Sequence, residues 1–213
     1  MSPGRRPRGL LLDAMGTLIG LREPVGHTYA AAAARHGITV AADAVERAFR
    51  SSYRQAPPLA FPGLEGAELA RAERSWWGDR IAESLAGAGA EPAPEAMVQE
   101  LFCHYADPGP WFVFEDVPDQ LERWQRSGLA LAVVSNFDSR LPGLLEGLGL
   151  ARWLQAVVVS SAAGAAKPQP APFRLALEAL GLEASQAWHV GDSPEDVQGA
   201  AAAGLRCLLV RRS

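Results

Sequence analysis

The sequence predicts an α/β protein, a doubly wound parallel sheet interrupted after its first strand by a block of helices. Three observations carry this. A short apolar run, Leu10-Leu11-Leu12, ends at Asp13 and a Gly16-Thr17 turn, with no crossover helix beside it. From about Leu21 to Pro110 the patterning is helical. From about Phe112 onward, unbroken apolar strands alternate with helices of about ten residues, as in a parallel sheet covered on both faces.

The elements follow in order. Arg8 to Asp13 reads as a buried strand ending in a loop. In the helical block, His27 to His36 is Ala-rich and stops at Gly37. Ala42 to Tyr53 carries Val45, Phe49 and Tyr53 four apart, one face of a helix. Glu65 to Leu85 has Leu69, Trp76, Trp77, Ile81 and Leu85 largely at helical spacing. Pro94 to Tyr105 opens on proline and sets Met97, Leu101 and Tyr105 four apart. Pro57-Pro58, Pro62-Gly63, Pro92 and Pro94 break these segments. Beyond them, helices are expected over Asp119–Arg126, Ser139–Leu148, Ala171–Leu180 and Pro194–Ala203. Strands are expected over Leu129–Val134, Ala156–Val159, Ala187–Val190 and Arg206–Val210. The block standing where the first crossover belongs is an insert. Residues 8–20 plus 112–213 form the core, and 21–111 a helical cap.

Composition excludes several classes. Hydrophobic residues make up 48% and charged residues 21%, a globular balance that argues against disorder. A net charge of −4 argues against a nucleic-acid partner bound through a broad basic surface. No apolar run approaches the ~18–20 residues of a membrane helix. The basic opening from Met1 to Arg8 is followed by too short an apolar stretch for a signal peptide. Cys103 and Cys207 make neither a disulfide framework nor a metal-ligand spacing, so a reducing cytoplasm is expected. Of 20 basic residues 19 are Arg, which singles out Lys167.

In an open α/β sheet, ligands bind at the carboxyl ends of the strands. Asp13, Met15 and Thr17 follow the first strand, and Ser135 and Asn136 the second. Lys167-Pro168 follows the third; Gly191-Asp192-Ser193 and Asp196 follow the fourth. Carboxylates, one ammonium and small donors suit Mg²⁺, which prefers oxygen ligands, and a phosphate.

Four motifs in order, Asp13-Ala14-Met15-Gly16-Thr17-Leu18, Val133-Val134-Ser135-Asn136, Ala166-Lys167-Pro168 and Val190-Gly191-Asp192-Ser193-Pro194-Glu195-Asp196, resemble those of the haloacid dehalogenase superfamily of hydrolases. The resemblance covers the whole chain. Val25 to Gly37, Trp76-Trp77, Ser135 to Asp138 and Lys167 to Pro170 are similar to the subgroup of haloacid-dehalogenase-like hydrolase domain-containing protein three. It implies a Rossmann-like core with an inserted helical cap, and a Mg²⁺-dependent hydrolase of a small phosphorylated metabolite. Asp13 would be the nucleophile, forming an aspartyl-phosphate. Asp13, the Met15 carbonyl and Asp192 would hold Mg²⁺, with Asp196 a direct or water-mediated partner. Thr17, Ser135, Asn136 and Lys167 would bind the phosphoryl group, and Lys167 would neutralise charge in the transition state.

One departure matters. The superfamily's phosphatases carry an acid/base Asp two residues after the nucleophile, and here that position is Met15. A thioether transfers no proton, so activity is expected to be slow or confined to good leaving groups. Met15 is expected to fill a gap in the core, and an acid introduced there to be buried near Asp13. Two rivals stay open. One is a metal-free dehalogenase-like hydrolase, which Asp192 and Asp196 disfavour. The other is a non-catalytic relative that binds Mg²⁺ and a phosphorylated ligand. Trp76, Trp77 and Trp111 are expected to be packing residues; Arg22, Glu23 and His27 lie at the entry to the insert.

Overall fold

The structure, a computed structural model, describes residues 6–212. Most of the basic opening, residues 1–5, lies outside them. The central strand is β1 (Gly9–Leu12), whose four residues are all buried. It pairs in parallel with β4 (Ala130–Ser135) on one side and β6 (Ala187–Gly191) on the other. Outside these lie β5 (Ala156–Val159) and β7 (Arg206–Leu209), giving the order β5-β4-β1-β6-β7. Every pairing in this sheet is parallel, so the carboxyl ends of all five strands fall on one edge.

The crossovers are α5 (Val117–Arg126), α6 (Leu141–Gly147), α7 (Ser160–Ala163), α8 (Ala171–Leu180) and α9 (Pro194–Ala202). Leu11, Val134, Phe173, Leu177 and Leu205 meet in one buried cluster. Each such side chain contributes roughly 1.5–3 kcal/mol by leaving water. The exception is β7, expected as a buried strand. It lies at the sheet edge, with Leu209 50% exposed.

The insert contains α1 (Val25–Arg35), α2 (Ala42–Gln55), α3 (Gly66–Gly87) and α4 (Glu95–His104). Tyr29, Val45, Ile81, Leu85, Met97 and Leu101 form their common core, while Tyr53, expected on the same face as Val45, is 44% exposed. Trp76 and Trp111 are buried and donate to the carbonyls of Pro57 and Tyr105.

The chain divides into two compact units. One comprises residues up to Gly20, Leu59–Glu65 and Phe112 onward; the other comprises Leu21–Pro58 and Gly66–Trp111. Leu59–Glu65 was expected within the insert but docks on the sheet unit. Ser160 Oγ donates to the Leu59 carbonyl at 2.6 Å and Phe61 N to the Ser161 carbonyl at 3.1 Å. Two unexpected short strands, β2 (Ile19–Leu21) and β3 (Trp111–Val113), pair where the chain passes between the units.

Candidate active site

The sheet edge gathers the residues singled out from the sequence. Asp13 directly follows β1, its N–H donating to the Val190 carbonyl, and is buried. Ser135, the last residue of β4, donates from Oγ to Asp13 Oδ1 at 3.2 Å. Lys167 arrives from the loop between α7 and α8. Its Nζ donates to Asp13 Oδ1 at 2.5 Å and to Asp196 Oδ1 at 2.6 Å, with all three side chains buried. Both side-chain hydrogen bonds of Asp13 therefore fall on one oxygen, Oδ1, and leave Oδ2 without one among the described residues.

Asn136 was expected among the phosphate ligands. Its side chain is instead committed to the Lys167 backbone, with Oδ1 accepting from Lys167 N at 2.7 Å and Nδ2 donating to Lys167 O at 3.0 Å. An amide whose two ends bind the N–H and the C=O of one residue is a clamp, and here it holds the backbone from which the Lys167 side chain leaves.

The start of α9 builds the opposite wall. Ser193 caps the helix, accepting from Asp196 N, while Asp196 reaches back in a capping box. Asp196 Oδ2 accepts from Asp192 N, Ser193 N and Ser193 Oγ; Oδ1 accepts from Lys167 Nζ and His189 Nε2. Five donors occupy this fully buried carboxylate. Asp192 is exposed, and its Oδ1 accepts from Thr17 Oγ1 at 3.3 Å. Two glycines permit the crowding. A Cβ on Gly16, at φ +81°, would stand 2.4 Å from Asp192 Oδ2, and one on Gly191 2.3 Å from Asp196 Cγ.

Asp13, Asp192 and Asp196 each offer an oxygen within 4.8 Å of the others. An all-oxygen set of this kind fits Mg²⁺. The electrostatics agree with that fit. Burial pushes the Asp13 carboxyl above the usual range; Lys167 pulls it down, and Asp196 and Asp192 push it further up. Burial opposes the Lys167 charge, yet Asp13 and Asp196 together hold the ammonium above its ordinary value. Burial also opposes the Asp196 charge, but His189 and Lys167 hold that carboxylate well below the usual range. Three carboxylates around one ammonium leave a site that a divalent cation would neutralise.

Met15 does not fill the core. It is 42% exposed, beside the turn at Gly16, whose φ is +81°. Arg22, Glu23 and His27 are exposed residues of the helical unit, where Arg22 and Glu23 border a cavity of about 410 Å³. Two contributors escaped the sequence reading. His189 was hidden in an apolar strand. The signal was that strand period two puts it on the face of Gly191, against which Asp196 packs. Arg212, beyond the last strand, donates to the Thr17 carbonyl at 2.5 Å and stacks on Phe114; no sequence signal marked it.

The family model described as haloacid dehalogenase-like hydrolase matches residues 7–204. Haloacid dehalogenase-like hydrolase domain-containing protein 3 of Mus musculus is 41% identical over 97% of this chain and 82% of its own length. Phosphoglycolate phosphatase of Rhodospirillum rubrum is 40% identical over 56% of this chain and 51% of its own. Among solved structures, L-2-haloacid dehalogenase from Xanthobacter autotrophicus superposes with a TM-score of 0.70 at 22% identity, over 96% of this chain and 77% of that one. At that identity the likeness is one of fold.

Proposed function

The chain belongs to the haloacid dehalogenase-like hydrolase family, and from that premise we propose that it is a Mg²⁺-dependent phosphatase of small phosphorylated metabolites. The observation that carries this is Asp13, buried, held through Oδ1 by Lys167 and Ser135, and 4.8 Å or less from the oxygens of Asp192 and Asp196. Similarity to a phosphoglycolate phosphatase supports the same reading.

Asp13 Oδ2 attacks phosphorus, the bond to the leaving oxygen breaks, and an aspartyl-phosphate forms; water then cleaves it and regenerates the carboxylate. Lys167, fixed by Asn136 and Asp196, faces the negative charge that gathers on the phosphoryl oxygens. Thr17 and Ser135, whose hydroxyls donate to Asp192 and Asp13, would turn those donors to the phosphoryl oxygens when substrate binds. Asp13, Asp192 and the Met15 carbonyl would hold Mg²⁺, which would supply neutralisation of the repulsion between carboxylate and phosphate. Asp196, already accepting from five protein donors, holds Lys167 and would be a direct or water-mediated partner of that ion.

Met15 supplies no proton, so the leaving group departs as an anion. Acyl and aryl phosphates are therefore the preferred substrates, and sugar phosphates poor ones. The test is phosphate release from acetyl phosphate, p-nitrophenyl phosphate and a sugar phosphate, with haloacids alongside, each with and without Mg²⁺. Mg²⁺-dependent turnover in that order of leaving groups, abolished by Asp13→Asn, is expected. Metal-independent haloacid turnover would replace the proposal with C–halogen hydrolysis. Inertness toward every compound would leave the non-catalytic reading that Met15 also favours. The two free cysteines suit a reducing cytoplasm, and no helix among the described residues is long and apolar enough to cross a membrane.

A further inference from the structure

His189 is a polar residue at zero exposure in the middle of an apolar strand, beside Leu11 of the central strand. Its ring stands edge-on to Phe173, centroids 4.9 Å apart, and Phe173 is itself fully buried. Nε2 lies 2.9 Å from Asp196 Oδ1. Nδ1 is buried and has no hydrogen-bond partner among the described residues.

That asymmetry selects one chemical form. With the proton on Nε2, the ring donates to the carboxylate and leaves only a lone pair against the apolar wall. With the proton on Nδ1, two lone pairs face each other across 2.9 Å. The Nε2–H tautomer is the one that fits.

A histidine so placed contributes little to the core that a leucine would not, and half of its polar capacity goes unused. What it alone supplies is a donor aimed at Asp196 Oδ1, the oxygen that also holds Lys167 Nζ. Four buried residues then run in series: His189, Asp196, Lys167 and Asp13. We propose that His189 is a positioning residue for Lys167. Acting through Asp196, it fixes the carboxylate oxygen against which the ammonium is set, and so keeps Nζ over Asp13. The inference rests on the phosphatase reading for its consequence in rate, but not for its geometry.

Lys167 is the chain's only lysine, so lysine labelled with ¹³C and ¹⁵N gives a single side-chain signal that reports this ammonium with or without turnover. In His189→Leu, melting is expected to be unchanged while the Lys167 Cε and Nζ resonances shift and broaden. With acetyl phosphate, kcat falls about 10- to 100-fold and KM stays within about twofold. His189→Gln, whose amide reaches as far as Nε2, restores the signal and most of kcat. Should His189→Leu fail to fold, His189→Asn, whose amide falls short of Asp196, replaces it with the same expectation. A wild-type Lys167 signal in the leucine or asparagine variant overturns the proposal, as does a glutamine variant that behaves like leucine. A labelled histidine ring found protonated at Nδ1 overturns it too. If the natural protein hydrolyses no phosphate, the phosphatase reading falls and the Lys167 signal still decides this one.

Discussion

At the scale of single residues, Met15 decides what kind of catalyst the site can be. From sequence its thioether is expected in the core, and an acid introduced there buried near Asp13. The structure leaves Met15 42% exposed, so a carboxylate at this position is not forced into the core. A substitution at so exposed a position typically changes stability by no more than about 0.5 kcal/mol. Met15→Asp is therefore expected to fold like the parent and to add the missing general acid. Hydrolysis of alkyl phosphates should rise by about 10²- to 10⁴-fold, while p-nitrophenyl phosphate, whose leaving group needs no proton, gains little. The ratio of kcat/KM for the two substrates, with Mg²⁺ affinity measured in parallel, checks this. An equal gain on both would show that the new carboxylate acts on the metal rather than on the leaving group.

At the scale of elements, the turn after β1 and the start of α9 press together so closely that Gly16 tolerates no side chain. Its φ is +81°, and a Cβ would enter the carboxylate of Asp192. Gly16→Ala carries a left-handed backbone cost of roughly 1–2 kcal/mol and displaces Asp192 besides. Mg²⁺ affinity measured by calorimetry should fall more than urea stability does; a variant with parental Mg²⁺ affinity would remove Asp192 from the metal set. The same crowding explains which elements could be read from sequence. Leu10-Leu11-Leu12 was legible because burial on both faces leaves an unbroken apolar run, and the helices over Val45, Ile81 and Met97 because burial on one face imposes a period. β2 and β3, three residues each, are too short for any period to register. Leu59–Glu65 read only as a proline-broken loop, because its attachment is through backbone carbonyls and amides that carry no residue identity. The run Arg206–Leu209 announced a strand but not its place at the edge, since apolarity reports composition and not neighbours.

At the scale of the whole molecule, the site was legible as a set because a parallel sheet sends every strand's next residue to one edge. Asp13, Ser135 and Asp192 needed only the strand ends to be found, whereas Lys167 lies past α7 in the loop that follows β5. The partner of each was not legible: Asn136 clamps Lys167, and His189 and Lys167 share one oxygen of Asp196. Such pairings depend on rotamers and distances of a few tenths of an ångström. Their sum is a charge arrangement with a consequence for stability. Asp13 is raised by burial and by the neighbouring carboxylates. For a raised carboxyl, stability is fully present below the unfolded value of 3.8 and is lost as pH rises through the folded value. Asp13→Asn cannot ionise and escapes that loss. Without metal, the variant should be more stable than the parent at about pH 7, and its advantage should shrink as pH falls toward 3.8. Added Mg²⁺ should reverse the order, because an ion that binds the folded parent more tightly stabilises it more by mass action. Urea unfolding of both proteins from about pH 4 to about pH 8, first in chelator and then in Mg²⁺, measures each part. A stability difference that stays constant with pH in chelator would mean that the folded protein does not strain the Asp13 charge, and the electrostatic case for a cation at this edge would fall with it.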